Sequence, residues 1–404
     1  MNFSMSKRAR TISMALMVVG IAAALIGIIG DHSEGHQHTW AALFVNGFFF
    51  FGIALGTLYF FALQYATESA WSVMVKRVYE AVMSFLPVGA IILLVVLLAG
   101  SLGIHHLWHW MDVNVRVPNE ADPHAFDPAI AEKSAFLNPV FFWVRTIVYL
   151  ATFILFARWF RRQSLEMDQR NGEQLVASHL KNYRRGALFL VFFAVFSSMM
   201  SWDWIMSIDA HWFSTLFGWY VFSGMWVSAM ITALVLVLYL KRKGYLPQVN
   251  NSHIHDMGKW VFAISFLWSY LWFSQFMLIW YSDIPEEVIY FQVRINEHPW
   301  LLWGMFFINF AVPMVLLMSR DAKRNPRFLI TVATIIFIGH WLDVVQMVMP
   351  SALGEHFHGI GALEVGLLAA FLGLFIFVVL NTLTKAPLTP VHHPYLDESI
   401  HHHT

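Results

Sequence analysis

Residues 86–103 read LPVGAIILLVVLLAGSLG, an apolar run without a single charged side chain. About 20 such residues are enough to cross the hydrocarbon core of a bilayer as a helix. This run belongs to a segment at about 82–103, and nine similar segments stand at about 11–30, 40–63, 139–160, 185–207, 213–240, 259–282, 299–319, 327–349 and 360–381. The sequence therefore predicts an all-α polytopic membrane protein with ten transmembrane helices.

Composition supports this class and excludes others. Hydrophobic residues make up 58% of the 404 positions and charged residues 12%, whereas a soluble domain carries about 25% charged residues. Lys and Arg equal Asp and Glu at 25 each, so the chain lacks the basic surplus typical of nucleic-acid binding. Cysteine is absent, which excludes thiolate-ligated iron–sulfur clusters and covalent haem. We predict no haem, iron–sulfur cluster or metal bound by this chain.

The distribution of basic residues predicts the orientation. All but four of the Lys and Arg residues fall at the N-terminus, in or beside the even-numbered connections, or in the C-terminal tail; the four are Arg116, Lys133, Arg145 and Arg294. Because basic residues accumulate on the cytoplasmic side, we expect both termini in the cytoplasm. The connections 104–138 and 283–298 are then external, and their acidic residues make them candidate docking surfaces.

A weak internal repeat suggests how the spans are grouped. Asn138–Trp143 and His298–Trp303 both begin a predicted span with the same Pro-to-Trp spacing, and Asp203 and Asp343 each lie beside tryptophan four spans apart. Parallel repeats of this kind build a site from equivalent positions in two halves. We therefore expect a flanking helix in 1–30, four-helix bundles in 31–207 and 208–350, and a tenth helix with a cytoplasmic tail in 351–404.

Five ionisable residues lie inside predicted spans: Arg145, Asp203, His340, Asp343 and Glu364. A charged residue at the centre of a membrane helix costs about 2.5–3.5 kcal/mol on insertion scales, so each one suggests a function. All five are predicted toward the outer side, and no comparable cluster is expected in the inner half. We treat the five as candidate proton-transfer residues.

His340 and Asp343 are three residues apart and therefore share one helix face. An imidazole beside a carboxylate can accept and pass a proton near neutral pH, and can deprotonate a quinol hydroxyl. The alternative is an interhelical structural pair, with His340 or Asp343 bound to Arg145, worth about 0.6 kcal/mol per contact. The sequence leaves both interpretations open.

Two further features are a histidine pair and a glycine pair. His105 and His109 stand four apart at the end of the third span, but interfacial histidines are more common than a metal site, and His109 suits hydrogen bonding to a head group. Gly52 and Gly56 form a small-residue pair typical of close helix packing.

Several motifs together resemble a known family. They are Ser201–Ser207 (SWDWIMS), His211–Phe217 (HWFSTLF), Gly339–Asp343 (GHWLD) and the Met349–Pro350 pair. The combination is similar to the polysulfide-reductase-type membrane subunits, and most to the F subunits of alternative complex III, over nearly the whole chain. Those complexes are bacterial quinol:cytochrome c oxidoreductases.

The resemblance implies an inner-membrane location, a homologous ten-span subunit beside this one, and multihaem cytochrome c and iron–sulfur subunits on the periplasmic face. Membrane lipids and a terminal oxidase are further implied partners. It also implies a quinol, such as menaquinol, at a site near the outer face that uses a histidine and an aspartate. Asp203 matches that aspartate, His109 is the looser match to the histidine, and Trp202 and Trp204 flank the pocket.

Three functions remain open from the sequence. The first is a subunit of a quinol-oxidising respiratory complex that contributes a quinol pocket or a proton route. The second is a secondary transporter, since Pro87 and Pro313 interrupt predicted spans as they do in that class. The third is a purely structural membrane anchor.

Overall fold

The computed structural model describes residues 3–118 and 125–403, without the side chains of Glu34 and Glu355. It is 80% helical, and the described residues contain no β-strand. Within these described residues, ten helices are long and apolar enough to cross a membrane. In chain order, spans 1 to 10 are Lys7–Ile29, Gln37–Ala66, Trp71–Ser101, Pro139–Met167, Gly172–Ile208, Phe217–Arg242, Asn251–Ser282, Pro299–Leu316, Pro326–Leu353 and Ala362–Leu383. The prediction of an all-α membrane protein with ten spans is confirmed.

Local sequence signals set where several spans begin. Asn138 precedes Pro139, and its side-chain oxygen accepts a hydrogen bond from the backbone N–H of Phe141 at 2.9 Å. Asn325 does the same ahead of Pro326 at the start of span 9. Proline suits the first helical position because its missing N–H would have no partner there.

Span 3 is a broken helix. It consists of a turn at Trp71–Val75 and the helices Lys76–Met83 and Leu86–Ser101. Pro87 has no N–H with which to continue the hydrogen-bonding pattern of the first helix, so the interruption falls just before it. The hydroxyl of Ser84, inside the break, donates to the Ala81 carbonyl at 2.6 Å and lies 2.9 Å from the hydroxyl of Thr382 on span 10.

Span 2 is the most buried span and packs against spans 3, 5, 6, 9 and 10. Its contact with span 6 depends on Gly56, where an added Cβ would stand 2.5 Å from the backbone oxygen of Met225. Gly52 also faces Met225. The two glycines thus allow the close helix approach that the sequence suggested.

Span 1 lies at the periphery and packs along span 10. The hydroxyl of Ser13 donates to the Gly373 carbonyl at 2.8 Å, and a Cβ added at Gly20 would stand 2.4 Å from the backbone of Ala370. Its other face is exposed, including Val18 and Ile26. The grouping of the remaining spans into two bundles stays a prediction.

Both termini lie at one end of the bundle, which we call the terminal end. The ring of Phe3 packs on Tyr245 with centroids 5.0 Å apart. The tail contains a short helix, Leu396–Ile400, and the Ser399 hydroxyl donates to the Trp71 carbonyl at 3.0 Å. The side of a membrane that this end faces stays a prediction.

The opposite end carries short helices at Val113–Arg116 and Pro128–Glu132 and a longer helix at Pro285–Glu297. Glu120 and Asp122, two of the acidic residues in the predicted docking surface, lie outside the described residues. Glu286 is exposed and Glu287 is half-buried in the first turn of Pro285–Glu297.

Candidate functional site

Asp203, on span 5, is completely buried and accepts three hydrogen bonds. Its two carboxylate oxygens accept hydrogen bonds from Arg145 of span 4 at 2.8 and 2.6 Å. The hydroxyl of Tyr149, one turn along span 4, donates to the same carboxylate at 2.7 Å. We call Arg145, Tyr149 and Asp203 the Asp203 site. Its carboxylate charge is balanced by a bidentate guanidinium, the strongest geometry for such a pair.

Aromatic rings enclose the guanidinium of Arg145. Its central carbon lies 4.0 Å from the ring centre of Phe136 and 4.1 Å from that of Phe141. Arg145 also donates to the Phe136 carbonyl at 3.1 Å. The interhelical pair of Arg145 with His340 or Asp343, considered as the structural alternative, is therefore wrong. Arg145 bonds to Asp203, and Asp343 has different partners.

The other residues assigned to a quinol pocket are dispersed around Asp203. Trp204 is buried, and its indole N–H donates to the hydroxyl of Thr146 at 3.1 Å. Trp202 is half-buried, and His109 is exposed. The neighbouring Trp108 is the one that bonds to this region, through its indole N–H and the Trp204 carbonyl at 3.2 Å.

Asp343, on span 9, is also buried but has no cationic Lys or Arg partner among the described residues. Its Oδ1 accepts a close hydrogen bond from the hydroxyl of Tyr220 on span 6. Its Oδ2 accepts from the indole N–H of Trp268 on span 7 at 2.9 Å. Three spans thus converge on this carboxylate.

His340 lies beside Asp343, with its Nδ1 3.8 Å from Oδ2 of the carboxylate. Its ring meets Trp268 edge-to-face, with centroids 5.3 Å apart. Neither of its ring nitrogens has a hydrogen-bond partner within the described residues. We call Tyr220, Trp268, His340 and Asp343 the His340 site.

A small cavity lies against the His340 site. Its volume is about 20 Å³, and it is lined by His340, Asp343 and Met347 of span 9 together with side chains of spans 2 and 6. A polar cavity of more than about 10–15 Å³ holds one water molecule. Most of the lining is apolar, and its polar residues are Ser228, His340 and Asp343, so a water held here would lie beside the imidazole and the carboxylate.

Other unsatisfied polar side chains gather on spans 7 to 9. Both side-chain polar atoms of Asn309 and Gln346 lack partners in the described part of the chain, as do the Ser265 hydroxyl and the Gln275 amide oxygen. All four residues are buried. An unsatisfied buried polar group costs about 1–3 kcal/mol, and a bound water or another partner removes that cost.

Arg294 was expected in an external connection, but the residue is 2% exposed and contacts span 9. Its Nε donates to the Gln346 carbonyl at 3.2 Å. That carbonyl needs a donor because Pro350, four residues later, has no N–H. Burial lowers the pKa of Arg294, against the opposing effect of the neighbouring Tyr290. The signal available in the sequence was the proline, which left a carbonyl for some donor to satisfy.

Glu364 has a different environment from the other candidates. It lies in the first turn of span 10, where its Oε2 accepts from the backbone N–H of Gly361 at 2.8 Å. Its Oε1 lies 2.5 Å from Nε2 of His38 at the start of span 2. Glu364 therefore caps one helix and joins it to another, away from the His340 and Asp203 sites.

The expectation that the half of the bundle nearest the termini has no charged cluster is wrong. Glu80, on the first helix of span 3, is completely buried and accepts from Arg77 at 2.8 Å. Arg161 and the hydroxyl of Ser164, both on span 4, also bond to Glu80. Charges at the terminal end thus penetrate the bundle, because they neutralise one another across spans 3 and 4.

The sequence identified the carboxylates but missed their hydroxyl and indole partners. Tyr149, Tyr220 and Trp268 were not singled out, since tyrosine and tryptophan are numerous here and sequence spacing does not indicate contacts between distant spans.

No protein-family model matches this chain, and no curated protein matches it.

Proposed function

We propose that this chain is a membrane subunit of a respiratory quinol:electron-acceptor oxidoreductase and that the His340 site carries protons in it. The observation that supports this proposal best is the state of His340. It is buried with two unpartnered ring nitrogens, 3.8 Å from a carboxylate and against a water-sized cavity. A histidine kept only to join helices would have its nitrogens bonded, as buried polar groups ordinarily do.

The chemistry of quinol oxidation requires such a group. Oxidation of a quinol to a quinone releases two electrons and two protons, and the protons need acceptors whose pKa lies near the working pH. Imidazole meets this condition, and an adjacent carboxylate stabilises the imidazolium form. Tyr220 and Trp268 hold Asp343 in position for this role by donating to its two oxygens.

Cavity size favours a proton route over a quinol pocket at this site. The cavity beside His340 measures about 20 Å³, whereas ligand pockets for organic molecules measure roughly 300–1,000 Å³. The proposed role of the chain is therefore to move protons near a quinol bound elsewhere, in a sibling subunit or at their interface.

Asp203 has a structural role in this proposal. A carboxylate that accepts two hydrogen bonds from one arginine and a third from a tyrosine hydroxyl has its charge paired with a guanidinium, as in a structural ion pair. The resemblance to alternative complex III supplies the remaining partners: a homologous ten-span subunit, and multihaem cytochrome c and iron–sulfur subunits on the periplasmic side of a bacterial inner membrane.

Gentle purification from native membranes tests the proposal. We expect c-type haem to co-purify with the chain and to be reduced by added quinol, with an optical spectrum that reports the reduction. Since the chain has no cysteine, covalent haem in the preparation must belong to a partner. A colourless preparation without partner subunits would overturn the proposal.

A second candidate, a secondary transporter, is favoured by the break in span 3 at Ser84–Phe85. Broken helices near a substrate site are a feature of that class. Uptake of a solute by the isolated chain in liposomes would support the transporter. Quinol-dependent haem reduction in the intact preparation would support the respiratory subunit.

A further inference from the structure

A large cleft opens at the terminal end of the bundle, between spans 3, 4 and 10. It comprises a cavity of about 500 Å³ and a neighbouring one of about 450 Å³, and both are lined by Ser84, Arg161 and Leu165. We call the two together the basic cleft. The break in span 3 contributes to it directly, because Ser84 lies within that break.

Basic side chains dominate the rim of the cleft. Arg158, Arg161 and Arg162 of span 4 line one cavity, and Lys385, just beyond span 10, lines the other. Arg161 bonds to Glu80, and Arg162 bonds to Glu166 at 2.7 Å. The lining therefore has more positive than negative charges.

Two of these cations are available to a ligand. Arg158 and Lys385 are exposed, and neither forms an ion pair with another described residue, whereas the acidic lining residues are already engaged. Asn381 and Thr382 add neutral polar groups at the level of Lys385. An anionic group with several oxygen acceptors fits this rim.

The inner part of the cleft is apolar. Ala157 lies closer to the middle of span 4 than the arginines do, and Phe377 and Val378 lie closer to the middle of span 10 than Lys385 does. Met83 and Pro87 complete this wall from span 3. The cleft thus changes from basic to apolar in the direction of the membrane centre.

We infer that the basic cleft binds an anionic phospholipid, with its phosphate at Arg158 and Lys385 and an acyl chain along the apolar wall. Basic pockets between transmembrane helices bind anionic head groups through charge, and the acyl chain adds burial of apolar surface. A free phosphate would use the rim alone. This inference is independent of the proposed respiratory function.

Native mass spectrometry of the intact, detergent-solubilised assembly tests the inference. The lipid probe is phosphatidylglycerol, offered in mixed micelles beside phosphatidylcholine, and the variant is Arg158→Gln with Lys385→Gln. We expect phosphatidylglycerol to remain on the wild type and to bind the variant about 30-fold more weakly, from the loss of two basic groups.

The matched control is Arg184→Gln with Lys243→Gln, which removes two exposed cations from the same end outside the cleft. We expect it to retain phosphatidylglycerol like the wild type, and a millimolar excess of inorganic phosphate to leave the lipid bound. The inference would be overturned if both double variants retained phosphatidylglycerol equally, or if the wild type retained phosphatidylcholine as well as phosphatidylglycerol. Displacement of the lipid by inorganic phosphate would also overturn it. An unchanged thermal midpoint verifies that the variants are folded.

Discussion

Nδ1 of His340 lies 3.8 Å from Oδ2 of Asp343, and no other described residue bonds to either nitrogen of that imidazole. Asp203 differs from Asp343 in its bonding partners, and the difference indicates which of the two carboxylates can take part in proton transfer. Both carboxylates are buried and both accept a tyrosine hydroxyl, but Asp203 is paired with Arg145. The Asp203 site therefore has its negative charge paired with a guanidinium, whereas the His340 site retains an imidazole and a carboxylate able to exchange a proton.

Replacing His340 by phenylalanine is expected to separate stability from function. The change removes two unsatisfied buried nitrogens, so the free energy of unfolding should stay the same or rise by about 1–3 kcal/mol. Quinol-dependent turnover per assembled complex should fall by about 10²–10⁴-fold, as for loss of a general base. Thermal unfolding and steady-state assays measure the two effects.

His105→Phe is the matched control for that variant. Nε2 of His105 lies 3.0 Å from the Val96 carbonyl, and its Nδ1 accepts from the backbone N–H of Leu107 at 3.3 Å. Loss of these bonds should lower stability without a specific effect on turnover. If His340→Phe also destabilised the protein and left turnover per complex unchanged, His340 would be a structural residue.

Arg145 and Asp203 are expected to behave as a coupled structural pair. Arg145→Met leaves a buried carboxylate without its cation, and breaking such a pair typically lowers stability by about 3–5 kcal/mol. The double variant with Asp203→Leu should recover much of that loss, since no uncompensated charge remains. A double-mutant cycle on detergent-solubilised protein measures the coupling, and simple additivity of the two changes would contradict it.

Gly56→Ala should destabilise the contact between spans 2 and 6. The new Cβ would stand 2.5 Å from a backbone oxygen of Met225, and overpacking of this kind costs about 1–3 kcal/mol. Gly304→Ala is the control, because nothing lies within 4 Å of a Cβ added there. Thermal midpoints of the two variants should differ clearly, and equal midpoints would show that the helices separate at little cost.

The docked C-terminal tail is expected to loosen in acid. Burial, followed by the positive charge of Lys76, lowers the pKa of His393 from 6.5 to about 2. Because the unfolded state binds the proton more readily, stability is complete above pH 6.5. It then falls by about 1.4 kcal/mol for each pH unit below that value. Limited proteolysis of the tail between pH 8 and pH 5 measures the effect.

His393→Phe is the control for the tail, since it removes the titrating group from a contact with His179, whose ring centre is 5.3 Å away. The variant should show a flatter dependence of cleavage on pH. A wild-type tail that is cleaved equally at pH 8 and pH 5 would contradict the assignment of His393 as a buried neutral residue.

The ten spans could be predicted because membrane helices are encoded locally, in the length of an apolar run such as 86–103. The positions of Asp203 and Asp343 followed from the same logic, since charges in apolar runs are conspicuous. Their partners could not be found this way. Tyr220 is 123 residues from Asp343, and an aromatic residue in an aromatic-rich span carries no signal of its contacts.

The wrong predictions concern charged residues that the sequence places near the boundary of a membrane span. Arg294 and Glu80 lie near the ends of apolar runs, where exposure is the ordinary outcome. Arg294 is buried because it satisfies a carbonyl left free by Pro350, and Glu80 because Arg77 and Arg161 neutralise it. Such compensation depends on neighbouring helices, and only the packed structure reveals it.

Quinol-driven proton release per assembled complex, compared between Asp343→Asn and Asp203→Asn, distinguishes a proton-carrying His340 site from a structural one. We expect Asp343→Asn to assemble normally but to release protons at least about tenfold more slowly, and Asp203→Asn to lower the yield of complex and preserve its rate. Normal proton release by Asp343→Asn, together with a loss of rate in assembled Asp203→Asn, would contradict this expectation.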